Sequence, residues 1–217
     1  MLRHTFFLIL LTLSSVLKAQ EVRFVSVKVN QYGQLSECRF KVSGISDTLY
    51  LIVNESGKLT GIEGNYSYNT MNINYFDRYA NDEEKGKISQ INNNDFTYYS
   101  YLEPKEKEGE IAGIGKIKLD YYTADPDKAG KIRMIGQLVL NYYTRQNDPA
   151  LSGKISKAGD VFFDYFSSVS DLELKGKVLK IGDYSFEYYS QYDDPLKAGR
   201  IKSVKGEDKR FELILVF

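Results

Sequence analysis

The chain is poor in the residues that usually announce chemistry. It has one cysteine, one histidine and no tryptophan among 217 residues. Cys38 cannot form an internal disulfide, which excludes a small bridged module. It stands where an apolar residue is expected, so a buried thiol is predicted rather than a reactive one. His4, the single histidine, lies in the opening segment. Once that segment is removed, no Ser-His-Asp triad, Cys-His pair or zinc-histidine site can be built. No excess of one charge exists either, with 29 basic and 29 acidic residues. That balance gives no concentrated basic face for nucleic acid. Beyond the opening segment no apolar run approaches the length of a membrane helix.

The opening, MLRHTFFLILLTLSSVLKAQ, has a short basic start at Arg3 and an apolar run from Phe6 to Leu13. The small residue Ala19 follows Leu17 and Lys18. This pattern predicts a signal peptide over 1–19, cut after Ala19 or Gln20, in preference to a buried helix or an anchor. A lipid-anchor cysteine is missing, since Cys38 lies well beyond the cut. Loss of Arg3 and Lys18 leaves 27 basic against 29 acidic residues on a mature chain of about 197, ample for a core of its own.

What is present is a degenerate block of about 23 residues. Its leading glycines are Gly86, Gly109, Gly130, Gly153, Gly176 and Gly199, with weaker copies at Gly57 and Gly33. The third residue of the block is Ile88, Ile111, Ile132, Ile155, Val178 and Ile201. A second turn-forming residue follows: Asn92, Gly115, Gly136, Gly159 or Gly182. Then comes strict alternation, as in Ile117, Leu119, Tyr121 and in Val161, Phe163, Tyr165, which is the period of a strand with one buried face. The central glycine predicts a hairpin with a type II′ turn, in preference to a bulge in one long strand. Polar stretches with Asp125-Pro126-Asp127, Asp148-Pro149 and Asp194-Pro195 predict turns outside the sheet. The expected fold is all-β: an antiparallel meander of about eight units of 21–29 residues, forming a curled sheet or barrel-like array. Residues 20–56 are expected to cap that array, 57–217 to form it as one continuous domain, and Glu63 to Thr70 to make an enlarged hairpin turn.

Aromatic doublets close the blocks at Tyr98-Tyr99, Tyr121-Tyr122, Tyr142-Tyr143, Tyr165-Phe166 and Tyr188-Tyr189. Adjacent strand residues face opposite ways, so the first members join the core face. The second members, Tyr99, Tyr122, Tyr143, Phe166 and Tyr189, are expected to stack as a second ladder, or to offer a binding platform to an envelope glycan or a protein partner. Lys58, Lys87, Lys131, Lys154, Lys177 and Arg200 follow the leading glycines and read as a solvated stripe that Glu110 interrupts. Asp120, Asp164 and Glu187 precede the doublets. They are the candidates for a carboxylate-dependent glycan hydrolase, though their recurrence favours a structural role. Asp125, Asp127, Asp193 and Asp194 lack the spacing of a calcium loop. No catalytic residue, metal or cofactor is assigned.

Phe211, Leu213, Leu215 and Phe217 alternate, which resembles the last-strand signal of outer-membrane barrels, so a small barrel of that kind is the alternative. The blocks from Gly86 to Gly206 resemble repeats in uncharacterised secreted proteins of Bacteroidetes-type bacteria, and the leader ending Leu-Lys-Ala-Gln is similar to exports of that group. The period also resembles MORN repeats, and the Gly-Lys/Arg-Ile opening after a tyrosine resembles the YD repeats of surface and toxin shells. The resemblance implies a non-enzymatic β-array. The leading expectation is therefore a soluble exported structural or binding protein of the periplasm or cell surface.

Overall fold

The computed structural model describes residues 21–43, 48–64 and 72–217; the expected signal peptide lies outside them. All regular structure in these residues is β, and no helix among them is long and apolar enough to cross a membrane. The strands are β1 (Glu21–Asn30), β2 (Leu35–Ser43), β3 (Leu49–Val53), β4 (Leu59–Gly64), β5 (Ile73–Tyr75), β6 (Ile88–Ile91), β7 (Asn94–Tyr98), β8 (Ile111–Ile114), β9 (Ile117–Tyr121), β10 (Ile132–Ile135), β11 (Leu138–Tyr142), β12 (Ile155–Ala158), β13 (Val161–Tyr165), β14 (Val178–Ile181), β15 (Tyr184–Tyr188), β16 (Ile201–Lys205) and β17 (Glu212–Val216).

Two sheets form, and neither closes or curls. One has five strands in the order β17-β1-β2-β3-β4; the other runs through twelve in chain order from β5 to β16. The curled or barrel-like array expected from the sequence is thus corrected to two open sheets. The physical reason is that the apolar face of the long sheet does not need to fold back on itself. The five-stranded sheet covers it. Phe24 of β1 lies 5.8 Å from Phe163 of β13, and one apolar cluster spans both sheets. The outer-membrane barrel falls with the same finding. Strands of four or five residues are also far shorter than the roughly 9–11 needed to span a bilayer. The alternating segment after Phe211 closes no barrel. It forms β17, which pairs parallel to β1 with Val27 opposite Leu213 and Val29 opposite Leu215.

The number of units is corrected too. Five hairpins, β6–β7 through β14–β15, lie between the single strands β5 and β16. The weak copies at Gly33 and Gly57 are turns of the five-stranded sheet, joining β1 to β2 and β3 to β4. A glycine at positive φ serves both settings, and Gly57 is even followed by Lys58 as in a block, so the local sequence does not separate them. Residues 57–64 therefore sit with the expected cap. Of the enlarged turn expected at Glu63 to Thr70, Glu63 and Gly64 end β4, and 65–71 lie outside the described residues.

Each hairpin turn has positive φ at its first central residue only: Asn92, Gly115, Gly136, Gly159 and Gly182. That is the sign pattern of a type II′ turn. The same residue donates its N–H to the preceding hairpin, as Gly136 does to Lys118 O at 2.7 Å and Gly159 to Val139 O at 2.9 Å. The turn thus adds to the ladder that it interrupts. In the five-stranded sheet the simple alternation of Val25, Val27 and Val29 fails at Val25. A register shift between Phe24 and Ser26 turns Phe24 inward and leaves Val25 half-buried.

The two turns of the small sheet key into the long one. Gly57 O accepts the Ile132 N–H at 3.0 Å, and Glu55 O accepts that of Ile155 at 3.1 Å. Gly33 O accepts the Val178 N–H at 2.8 Å, and Gln31 O that of Ile201 at 2.9 Å. Four block-opening amides are thereby satisfied by carbonyls from the other sheet, which matters because an orphaned amide is costly away from water.

Of the basic series expected as a solvated stripe, Lys87, Lys131, Lys154 and Lys177 are instead half-buried clamps, while Arg200 stays exposed. Lys87 Nζ donates to Gly109 O at 2.6 Å, one block on, and Lys177 donates likewise to Gly199 O. Lys131 and Lys154 reach instead to the β3–β4 turn, at Ser56 O (2.9 Å) and Glu55 Oε1 (2.8 Å). Where the series breaks at Glu110, Lys58 comes in from that same turn. Its ammonium donates to Gly130 O, the acceptor that a lysine at 110 would reach, and lies 3.6 Å from the Glu110 carboxylate. Lys58→Ala is expected to cost about 1 kcal/mol, since the clamp is half-exposed. Adding Glu110→Lys should then restore most of that loss. Glu110→Lys alone should destabilise by crowding a second ammonium against Lys58. Urea unfolding of the three variants checks this, and no recovery in the double variant would show that Lys58 has another role.

Candidate functional site

Six polar loops, 77–85, 100–108, 123–129, 144–152, 167–175 and 190–198, run along one edge of the long sheet. Each is closed at its base by a pair of backbone bonds. Gly109 N–H donates to Tyr99 O at 2.9 Å and Tyr99 N–H to Glu110 O at 3.0 Å, and the other five loops repeat this pair. Aspartates shape the turns by accepting the N–H two residues on: Asp125 from Asp127, Asp148 from Ala150 and Asp194 from Leu196. Neighbouring loops are tied as well, with Tyr101 N–H on Glu83, Arg145 N–H on Asp127 and Ser168 N–H on Asp148. Asp193 accepts from Ser190 N–H and from Lys202, which holds its carboxyl down at about 2. The four acids weighed as calcium ligands are thus turn-formers and loop ties. Among the described residues no three candidate metal ligands converge.

Four of the five second members, Tyr99, Tyr122, Tyr143 and Phe166, each pack on the first member of the next doublet at the foot of these loops, and Tyr189 follows them in the series. Tyr99 meets Tyr121 of the next hairpin edge-to-face at 6.0 Å. Tyr122 with Tyr142, Tyr143 with Tyr165 and Phe166 with Tyr188 repeat the contact at 5.7–6.0 Å. All five rings are half-buried. The hydroxyls of Tyr99, Tyr122 and Tyr143 donate to Leu119 O, Leu140 O and Phe163 O at 2.7–3.1 Å. Lys107, Lys128 and Lys197 lie over the rings of Tyr99, Tyr122 and Tyr189 at 5.1–5.4 Å. Burial raises the phenols of Tyr99, Tyr122 and Tyr143, the last to about 12.

The carboxylates before the doublets are dispersed. Asp120 is gripped by Lys107 at 2.6 Å and by Arg133; Glu187 by Ser203 at 2.7 Å and by Lys205; Asp164 receives only a long bond from Tyr143. Asp120, despite its partial burial, and Glu187 are both held below the usual carboxylate range by hydrogen bonds from these partners. A glycosidase acid needs the opposite shift.

A hollow of about 500 Å³ lies between the sheets beside Arg23, Phe24, Leu138, Asp160 and Arg210. Its cations are occupied, Arg23 by Glu21 at 2.6 Å and Arg210 by Asp208. Asp208 also takes the Asp183 N–H at 3.1 Å, and the Arg210 guanidinium holds its carboxyl at about 2.

Sequence reasoning missed the feature that stands out on this edge. Seven residues before each leading glycine the loops carry Tyr79, Leu102, Thr123, Gln146, Val169 and Tyr192. The four apolar ones are almost wholly in solvent: Tyr79 and Leu102 are 79% exposed, Val169 93% and Tyr192 100%. Leu172 and Leu196 add to the row, and a groove of about 310 Å³ runs between Leu172 and Tyr192. The signal was available as a fixed offset from the glycine, but it was hidden by the polar company of these residues. No protein-family model matches the chain, and a search of curated proteins finds no match to it.

Proposed function

We propose that the protein is an exported structural or binding protein of the cell envelope, and that it meets its partner along the loop edge. The observation that carries this reading is the row Tyr79, Leu102, Val169 and Tyr192, apolar and exposed at one block position. Within the complete hairpins the doublet rings, and the lysines after the leading glycines, are spent on internal contacts, and exposed apolar rows of this kind are uncommon without a use. The half-buried rings of Tyr99, Tyr122, Tyr143, Phe166 and Tyr189 form the floor on which the loops stand. They set the spacing at which the exposed residues are displayed. Export rests on the leader pattern over 1–19.

Co-sedimentation of the mature chain with isolated cell walls tests the reading. The wild type is expected to sediment with the walls, and a variant with serine at 79, 102, 169 and 192 to stay in the supernatant. Equal sedimentation of the two would move the site elsewhere. Protease treatment of the walls beforehand separates a protein partner, whose loss abolishes binding, from a glycan, which survives.

A further inference from the structure

The long sheet begins and ends on half a hairpin, and the halves are complementary. β5 ends in the doublet Tyr75-Phe76 and so corresponds to the closing strand of a block. β16 follows Gly199 and Arg200 and so corresponds to an opening strand. The geometry points to head-to-tail joining of copies of this chain, with β5 of one copy completing the hairpin that β16 of another begins.

Three recurring contacts stop at these two edges, and each finds its missing member on the other edge. In four of the five complete hairpins the first tyrosine of the doublet donates to the carbonyl of the block-opening residue: Tyr98 to Ile88, Tyr121 to Ile111, Tyr142 to Ile132 and Tyr188 to Val178, at 2.6–3.1 Å; the Tyr165 hydroxyl is the exception. Tyr75 holds the donor's place with no opening strand before it among the described residues, and it is 60% exposed. Ile201 holds the acceptor's place with no closing strand after it. The edge-to-face ladder runs from Phe76 with Tyr98 to Phe166 with Tyr188. Tyr189 is next in the series, and Tyr75 of a second copy is the ring that continues it. The Tyr189 hydroxyl would then reach Ile73 O of that copy, as Tyr143 reaches Phe163 O at 3.0 Å. The loop ties continue likewise, since Asp194 stands where Asp148 does and would accept the Arg78 N–H as Asp148 accepts that of Ser168.

One copy cannot satisfy itself. Twelve strands at a spacing of about 4.8 Å put its two edges roughly 50 Å apart. The contact is heterologous and does not close, so it propagates as an open row.

Sedimentation velocity on the full mature chain, over a rising concentration series, reads this directly. A ladder of dimer, trimer and larger species is expected. Tyr75→Ala and Tyr189→Ala should each weaken association by about tenfold or more. Tyr192→Ala, on a ring wholly in solvent, should leave association unchanged, which separates this contact from the loop-edge site. Register is read by cross-linking. Facing pairs in the hairpins are Gln90 with Asp95, Lys157 with Phe162 and Lys180 with Ser185, which places Ser203 opposite Asn72 of the next copy. Chains carrying Ser203→Cys mixed with chains carrying Asn72→Cys should form a disulfide-linked pair on oxidation; buried Cys38 does not compete. A monomer at every concentration would overturn the inference, as would cross-linking of Asn72→Cys chains only with one another.

Discussion

Alanine at position 57 is expected to destabilise the fold by about 3–5 kcal/mol, although it adds a single methyl group to a turn. Gly57 has φ +76°, where a side chain costs about 1–2 kcal/mol. A Cβ there would stand 2.3–2.5 Å from the Tyr142 hydroxyl and ring. Tyr142 cannot yield, because it is buried and its hydroxyl is bonded to Ile132 O at 2.7 Å. The turn must then lift, which breaks the Ile132 N–H bond to Gly57 O and disturbs the Lys58 clamp beside it. Gly86→Ala is the control. Its φ is +72°, but a Cβ there meets nothing within 4 Å, so only the conformational cost of about 1–2 kcal/mol should appear. Denaturant midpoints for the two variants give the comparison, and equal losses would show that the turn does not press on Tyr142.

The second large effect belongs to Phe24. Its ring lies 5.5 Å from Phe40 in its own sheet, 5.8 Å from Phe163 in the other, and 5.0 Å from Phe211 before β17. Removing it unseats all three rings at the one place where both sheets and the last strand converge. Phe24→Ala should cost about 3–5 kcal/mol, a large share of the roughly 5–15 kcal/mol that a domain commonly has. Phe162→Ala removes the neighbouring aromatic from the outward face, where the ring is mostly in solvent beside Lys157, and should change stability little. Thermal unfolding of the pair tests whether the inner face alone is the core. Comparable losses would mean that the outer face is also packed.

These contrasts indicate what could be read from the chain. Period-2 alternation locates the strands from β7 to β15 because one face is buried and the other wet, and glycine at the turn centre divides each block in two. The loops are legible from Asp-Pro pairs. What was not legible is partnership between sheets. Phe24 and Val27 look like any strand residues, and nothing in their alternation says that they press on Phe163. Gly57-Lys58 has the wording of a block opening, yet it works as a key from the other sheet. The lysine series looked solvated because lysine is ordinarily solvated; its fixed place after the glycine was the clue to a structural acceptor. The second members of the doublets do not stack on one another as a ladder of their own; Tyr99, Tyr122, Tyr143 and Phe166 each pack edge-to-face on the first member of the next doublet. The exposed row on the loops escaped because single tyrosines and leucines among acids and glycines make no pattern until the glycines fix their offset.

The parallel pairing of β17 with β1 bears on how the chain reaches this state. Ser26 faces Glu212, so an edge of the small sheet is completed by residues made long after the strand they join. The hairpins of the long sheet need only near neighbours and can zip as they emerge. The small sheet has to wait with β1 uncovered, because closing so large a loop is entropically expensive and slow. Folding should therefore end at β17, and a nascent chain stalled before residue 211 would expose Phe24 and the β1 edge to whatever binds unpaired strands.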